Sequence, residues 1–120
     1  MTEAFERSSR GQTLIVKVAE SQLSNVATVE AFAAALLQLR KQHDKPFLIV
    51  NLAGVTFLAT PVVNALIQAR KQFDAMVVVG LNENIRRAFA LMKLDEALTL
   101  AADVEAGFEA LPAEATSGDT

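Results

Sequence analysis

The residues best placed to do chemistry lie in one stretch, Asn51-Leu52-Ala53-Gly54-Val55-Thr56-Phe57-Leu58-Ala59-Thr60-Pro61-Val62-Val63-Asn64. It leaves an apolar run, passes a glycine and enters a helical pattern at Thr60-Pro61. Threonine is a good helix N-cap, because its hydroxyl accepts from the free N–H groups of the first turn. Proline suits the first helical position, where a missing N–H costs nothing, and it pushes the residue before it towards extended geometry. The pattern therefore predicts Thr60 as an N-cap, with its hydroxyl at the positive end of a helix beside the end of a core strand. Two roles fit that hydroxyl. One is a plain cap, worth about 1 kcal/mol. The other is a phosphoacceptor: a phosphate adds roughly −2 charge, which the helix dipole tolerates. It would sit on a surface otherwise made of Phe57, Leu58, Val62 and Val63, and there it would disrupt or re-select a partner.

Other chemistries fail on the residues they require. Cysteine is absent, which removes disulfides, thiolate catalysis and cysteine metal sites. His43 is the one histidine; beside Asp44 at a polar helix end, it reads as a solvated surface residue. Neither a G-x-x-x-x-G-K-[ST] nor a G-x-G-x-x-G loop occurs. Asp44, Asp74, Asp95 and Asp103 follow the ends of elements and read as caps or turn residues. A phosphate-receiver domain needs an aspartate at a strand end and an acidic pair to hold Mg²⁺. Here the early strand ends at Ala19-Glu20-Ser21 and the central one at Val50-Asn51. No catalytic residue, metal site or cofactor is expected, and the chain reads as a non-enzyme.

The elements that must position Thr60 follow from hydrophobic spacing. Met1 to Gly11 is a polar tail or edge strand, and Thr13 to Ala19 a strand with Leu14, Val16 and Val18 on one face. Glu20 to Ala27 is a polar connection. Thr28 to Gln42 is a helix capped by Thr28, with Val29, Phe32, Ala33, Leu36 and Leu39 on one stripe. Phe47 to Asn51 is continuously apolar, as suits a strand buried on both faces. The helix after Thr60 carries Val62, Val63, Leu66 and Ile67, so its first half is apolar nearly all round. One of Val62 and Val63 is expected to face the core; the apolar second side suggests a partner. Ala75 to Val79 is a strand, and Asn82 caps a helix through Ile85, Ala88, Phe89 and Met92. Ala97 to Leu100 reads as a final strand and Ala101 to Leu111 as a last helix. Strands alternating with helices define an α/β fold with at least a parallel core. Residues 1–111 form one domain, and 112–120 are expected to be a disordered tail.

Composition agrees with this. The chain has 120 residues, 52% of them hydrophobic and 21% charged, enough for one core. A net charge of −3 and pI near 5.1 argue against broad nucleic-acid binding. No apolar run reaches the roughly 20 residues that span a bilayer. Met1 to Arg7 lacks the apolar core of a secretory signal. A bacterial-type cytoplasmic location is the expectation.

In order and spacing, three motifs resemble the STAS domain (sulfate transporter and anti-sigma factor antagonist). Asn51 to Thr60 resembles the family's D-L-S-G-V-x-F-I-D-S-S-G run, Val78 to Phe89 its V-G-L-x-x-x-V-R-R-x-L segment, and Leu91 to Asp95 its L-T-G-L-D. Gln22-Leu23-Ser24 falls where many members have R-L-D. The resemblance spans about Thr13 to Leu111. It implies a single α/β domain with a four- to five-stranded mixed sheet and about four helices. It also implies a non-enzymatic interaction module resembling anti-sigma factor antagonists. The implied partners are a kinase-type anti-sigma factor, a stressosome-like or other STAS-containing assembly, or a second copy in a homodimer. An alternative is a STAS subunit of a membrane lipid or ion transport system. The phosphosite departs from the family: Ala59 replaces the acid, Thr60 and Pro61 the two serines, and Val62 the glycine. Only Thr60 can inherit the phosphoacceptor role. The expected partner-binding surface is Phe57, Leu58, Ala59, Thr60, Pro61, Val62, Val63 and Asn64.

Overall fold

A computed structural model describes residues 5–18, 22–23 and 26–116. The chain begins with an antiparallel hairpin of β1 (Phe5–Arg10) and β2 (Thr13–Val18). A two-residue strand, β3 (Gln22–Leu23), precedes α1 (Val26–Gln42) and β4 (Phe47–Asn51). Another short strand, β5 (Phe57–Leu58), leads into α2 (Thr60–Arg70) and β6 (Ala75–Val79). Then come α3 (Glu83–Leu91), a single turn α4 (Leu94–Ala97), β7 (Thr99–Ala101), α5 (Val104–Ala110) and a 3-10 turn at Ala113–Thr116.

The main sheet has the order β1-β2-β4-β6-β7, parallel throughout except for the β1–β2 pair. β4 and β6 are paired on both edges, which is why their runs Phe47-Leu48-Ile49-Val50 and Met76-Val77-Val78-Val79 are apolar without alternation and wholly buried. Leu48, Val50, Met76 and Val78 point to one face, where Leu14, Val16 and Val18 of β2 join them. That face is covered by the stripe Val29, Phe32, Leu36 and Leu39 of α1, by Val62, Leu66 and Ala69 of α2, and by Ile85 and Phe89 of α3. Phe47, Ile49, Val77 and Val79 point to the other face and pack under α5 and the C-terminal turn, with Leu111 and Ala115 buried there. Gly107 lets α5 lie close, since a Cβ at that position would stand 3.0 Å from Val79 Cγ1 and 3.3 Å from Ile49 Cδ1.

The structure departs from the sequence reading at several boundaries. The connection after β2 contains β3, whose residues pair in parallel with β5; two residues carry too little periodicity to be seen alone. α1 starts at Val26, so Thr28 lies within it and is not its cap. α4 occupies part of the span assigned to the last strand, and β7 is shifted to Thr99–Ala101. α5 starts at Val104 behind Asp103, whose Oδ1 accepts from Ala106 N at 2.9 Å. The expected tail does not begin at Pro112. Ala115 is buried, and its carbonyl accepts from Gln12 N and from the buried Thr13 hydroxyl, both at 2.9 Å. Residues 117–120 lie outside the described residues.

Candidate partner-binding site

The stretch that leads to Thr60 is held from below by the sheet. Beyond β4, Leu52 N donates to Val79 O at 2.8 Å, which carries the β4–β6 pairing one step further. Asn51 Oδ1 accepts from Ala53 N at 2.9 Å and turns the chain. Val55 is buried, and its N–H donates to Leu52 O at 3.0 Å. Gly80, at the end of β6, is required here twice over. Its φ is +78°, and a Cβ on it would stand 2.7 Å from Asn51 Oδ1 and 2.8 Å from Ala53 N. Asn82 caps α3 as expected, accepting from Ile85 N at 2.8 Å, and its Nδ2 donates to Val55 O at 3.2 Å.

Thr60 is not the cap of α2. Ala59 holds the extended N-cap position (φ −76°, ψ 154°), its carbonyl accepts from Val62 N at 2.9 Å, and no side chain caps the helix. Thr60 is therefore the first helical residue, and Pro61 follows it inside the first turn. Proline brings no N–H, so one of the donors a cap would serve is missing from the start. The Thr60 side chain is exposed, and the first turn of α2 has no acid.

Val62 and Val63 are 0% and 6% exposed, and both belong to the core. The apolar second side of α2 is thus buried in the core that also holds α1 and α3 residues, and its apolar character by itself does not indicate a partner. Of the expected surface, Phe57 (51% exposed), Thr60, Pro61 and Asn64 face solvent, while Leu58 and Ala59 are half-buried.

Of the exposed residues, Phe57 and Thr60 border a groove of about 240 Å³. One wall is Thr56, Phe57, Leu58 and Thr60; the other is α3 and its C-cap residue, through Asn84, Ala88 and Met92. Val63, Ile85 and Phe89 also line it. Met92 is 56% exposed and Leu91, beside it in the chain, 80%. Ala88 and Met92 belong with Ile85 and Phe89 to the helical pattern read from the sequence. Only Ile85 and Phe89 are buried there; Met92 is the C-cap residue, its N–H still donating to Ala88 O at 3.0 Å, and it stands with Asn84 and Ala88 along the groove. The α3 wall is the part of the candidate site that sequence reasoning missed; the signal for it was a pair of large apolar residues, Leu91-Met92, closing a helix whose other exposed residues are polar or alanine. Glu83 and Arg87 form an exposed ion pair at 3.4 Å along α3. Among the described residues, no group of three or more His, Asp or Glu is placed to hold a metal ion, and no helix is long and apolar enough to cross a membrane.

A mixed five-stranded sheet, helices over both faces and an open apolar groove where the 51–60 loop meets α3 define a small α/β domain. Its family follows from a match of residues 6–107 to the model of the STAS domain: the chain belongs to the STAS domain family. The fold is that of anti-sigma factor antagonists. One from Mycobacterium paratuberculosis is 19% identical, with 88% of this chain and 91% of that one covered at a TM-score of 0.77. A STAS domain protein from Planctomyces limnophilus, an anti-sigma factor antagonist, is 14% identical, covering 92% and 98% at 0.77. The Bacillus cell fate determinant SpoIIAA in its phosphorylated form is 16% identical, covering 90% and 100% at 0.63. No curated protein matches in sequence.

Proposed function

We propose that this domain is a non-enzymatic interaction module that docks a regulatory protein in the groove between the 56–60 segment and α3, with Thr60 as a phosphorylatable control point on its rim. The observation that carries the reading is the groove itself. It is apolar, open, and bordered by large side chains, Phe57 and Met92, that the fold leaves half in water. Leaving such a patch exposed is unfavourable unless something covers it. Thr60 borders the same groove, is exposed, and makes no capping bond. A phosphate there would put charge on an apolar contact and oppose docking. The structural relatives named as anti-sigma factor antagonists suggest an anti-sigma factor of the kinase type as partner, in the cytoplasm. The existence of a phosphorylated form of one such relative supports Thr60 as the acceptor.

An affinity pull-down with mass spectrometry tests this. Phe57→Asp and Met92→Asp are expected to lose the wild-type partner with the circular dichroism spectrum unchanged. Thr60→Glu is expected to bind at least about tenfold more weakly than Thr60→Val. Retention of the full partner set by both Asp variants overturns the groove. Equal affinities for the two Thr60 variants overturn the switch. A second reading, a STAS subunit of a membrane lipid or ion transport system working without phosphorylation, is favoured by Ala59 and Pro61 at the family's acid and serine positions. Capture of a transport ATPase instead of a kinase-type protein selects it.

A further inference from the structure

We propose that Asn82 is a positioning residue that holds the two walls of the groove at a fixed separation. The walls come from different crossovers. One belongs to the loop after β4, the other to α3 after β6, and β4's continuation is hydrogen-bonded to β6 from Leu52 N to Val79 O. Beyond it, the Asn82 side chain reaches both segments at once. Nδ2 donates to Val55 O at 3.2 Å, and Oδ1 accepts from Ile85 N at 2.8 Å. A carbonyl can only accept and a backbone N–H can only donate, so these two partners determine which way the amide points. One planar group therefore links the base of the loop wall to the first turn of α3.

The same neighbourhood is close-fitting at Gly80, where even a methyl group would meet Asn51 and Ala53. Val55 is buried and bonded back to Leu52, so a pull on its carbonyl is passed into the loop. Two residues beyond Val55 stands Phe57, and two beyond Ile85's amide partner stands Asn84, on opposite walls of the groove. Capping α3 needs only an acceptor at position 82; the asparagine supplies a donor as well, and that donor is what joins the walls. The effect on docking rests on the groove reading above, but the geometry can be tested without a partner.

Substitution separates the two halves of the amide. Asn82→Asp and Asn82→Ser keep an acceptor for Ile85 N, since both residues are good N-caps. Asp has no donor for Val55 O when ionised, and the Ser hydroxyl is too short to serve both groups. Amide hydrogen exchange by NMR on the full chain reads the outcome. In both variants the Val55 amide is expected to exchange about tenfold faster, with Ile85 and Arg86 protection kept. Asn82→Ala is expected to weaken both. Unchanged Val55 exchange in Asn82→Asp and Asn82→Ser overturns the proposal, as does equal loosening of Val55 and Ile85 in those two variants. If Val55 is unchanged while Phe57→Asp still loses its partner, the tether is refuted and the docking reading stands.

Discussion

Thr60 shows how a residue's role turns on a single backbone position. As an N-cap its hydroxyl would be committed to the helix; as the first helical residue behind Ala59 it makes no capping bond and faces solvent at the groove. The cap expected of Thr60 is present one crossover later, at Asn82. Gly80 is the residue on which the loop most directly depends. An alanine there must accept φ near +78° and place its Cβ 2.7–2.8 Å from Asn51 Oδ1 and Ala53 N. Strain of this kind costs about 1–3 kcal/mol before the clash is added. Gly80→Ala is accordingly expected to lower stability by at least about 2 kcal/mol in urea unfolding. A change below about 0.5 kcal/mol would show that the loop is free to move away.

At the scale of elements, α2 is the instructive case. Its apolar residues Val62, Val63, Ala65, Leu66 and Ala69 are all buried in the one core that the sheet, α1 and α3 share. Val63→Asp places a carboxylate where no partner waits, and a buried uncompensated charge costs about 3–5 kcal/mol. It is expected to abolish or sharply lower the cooperative thermal transition followed by circular dichroism. Asn64→Asp, one residue on and exposed, is expected to stay within about 0.5 kcal/mol of wild type. Similar losses for the two would contradict the packing. The groove is likewise a property of elements in pairs, because neither the 56–60 segment nor α3 forms it alone.

On the scale of the whole molecule, both sheet faces are covered, but unequally. Long helices shield one, while α5, Leu111 and the 113–116 turn shield the other. The C-terminal turn is tied to the β1–β2 hairpin through Ala115 O, so it closes the edge of the second core. Deleting residues 112–120 removes the buried Ala115 and the acceptor of the Thr13 hydroxyl. A loss of about 1 kcal/mol or more is expected, equivalent to a fall in Tm of about 4–8 °C by calorimetry. An unchanged Tm would return these residues to the status of a tail.

The sequence by itself determined the parts governed by short-range pattern. β4 and β6 were legible to the residue, because strands paired on both edges must be apolar on both faces, and the α1 stripe and the Asn82 cap were legible from spacing. The order of motifs was enough for the family. Only the tertiary structure decided which side of an apolar helix is covered, and by what. Val62 and Val63 look the same in sequence whether they meet a partner or α1 and α3. Met92 reads as part of the apolar pattern yet stands 56% exposed at the groove, and β3, β5 and the Ala115 contact exist only through partners distant in the chain. Periodicity reports that a face must be buried; what buries it is a long-range contact, and one chain's local pattern holds no record of it.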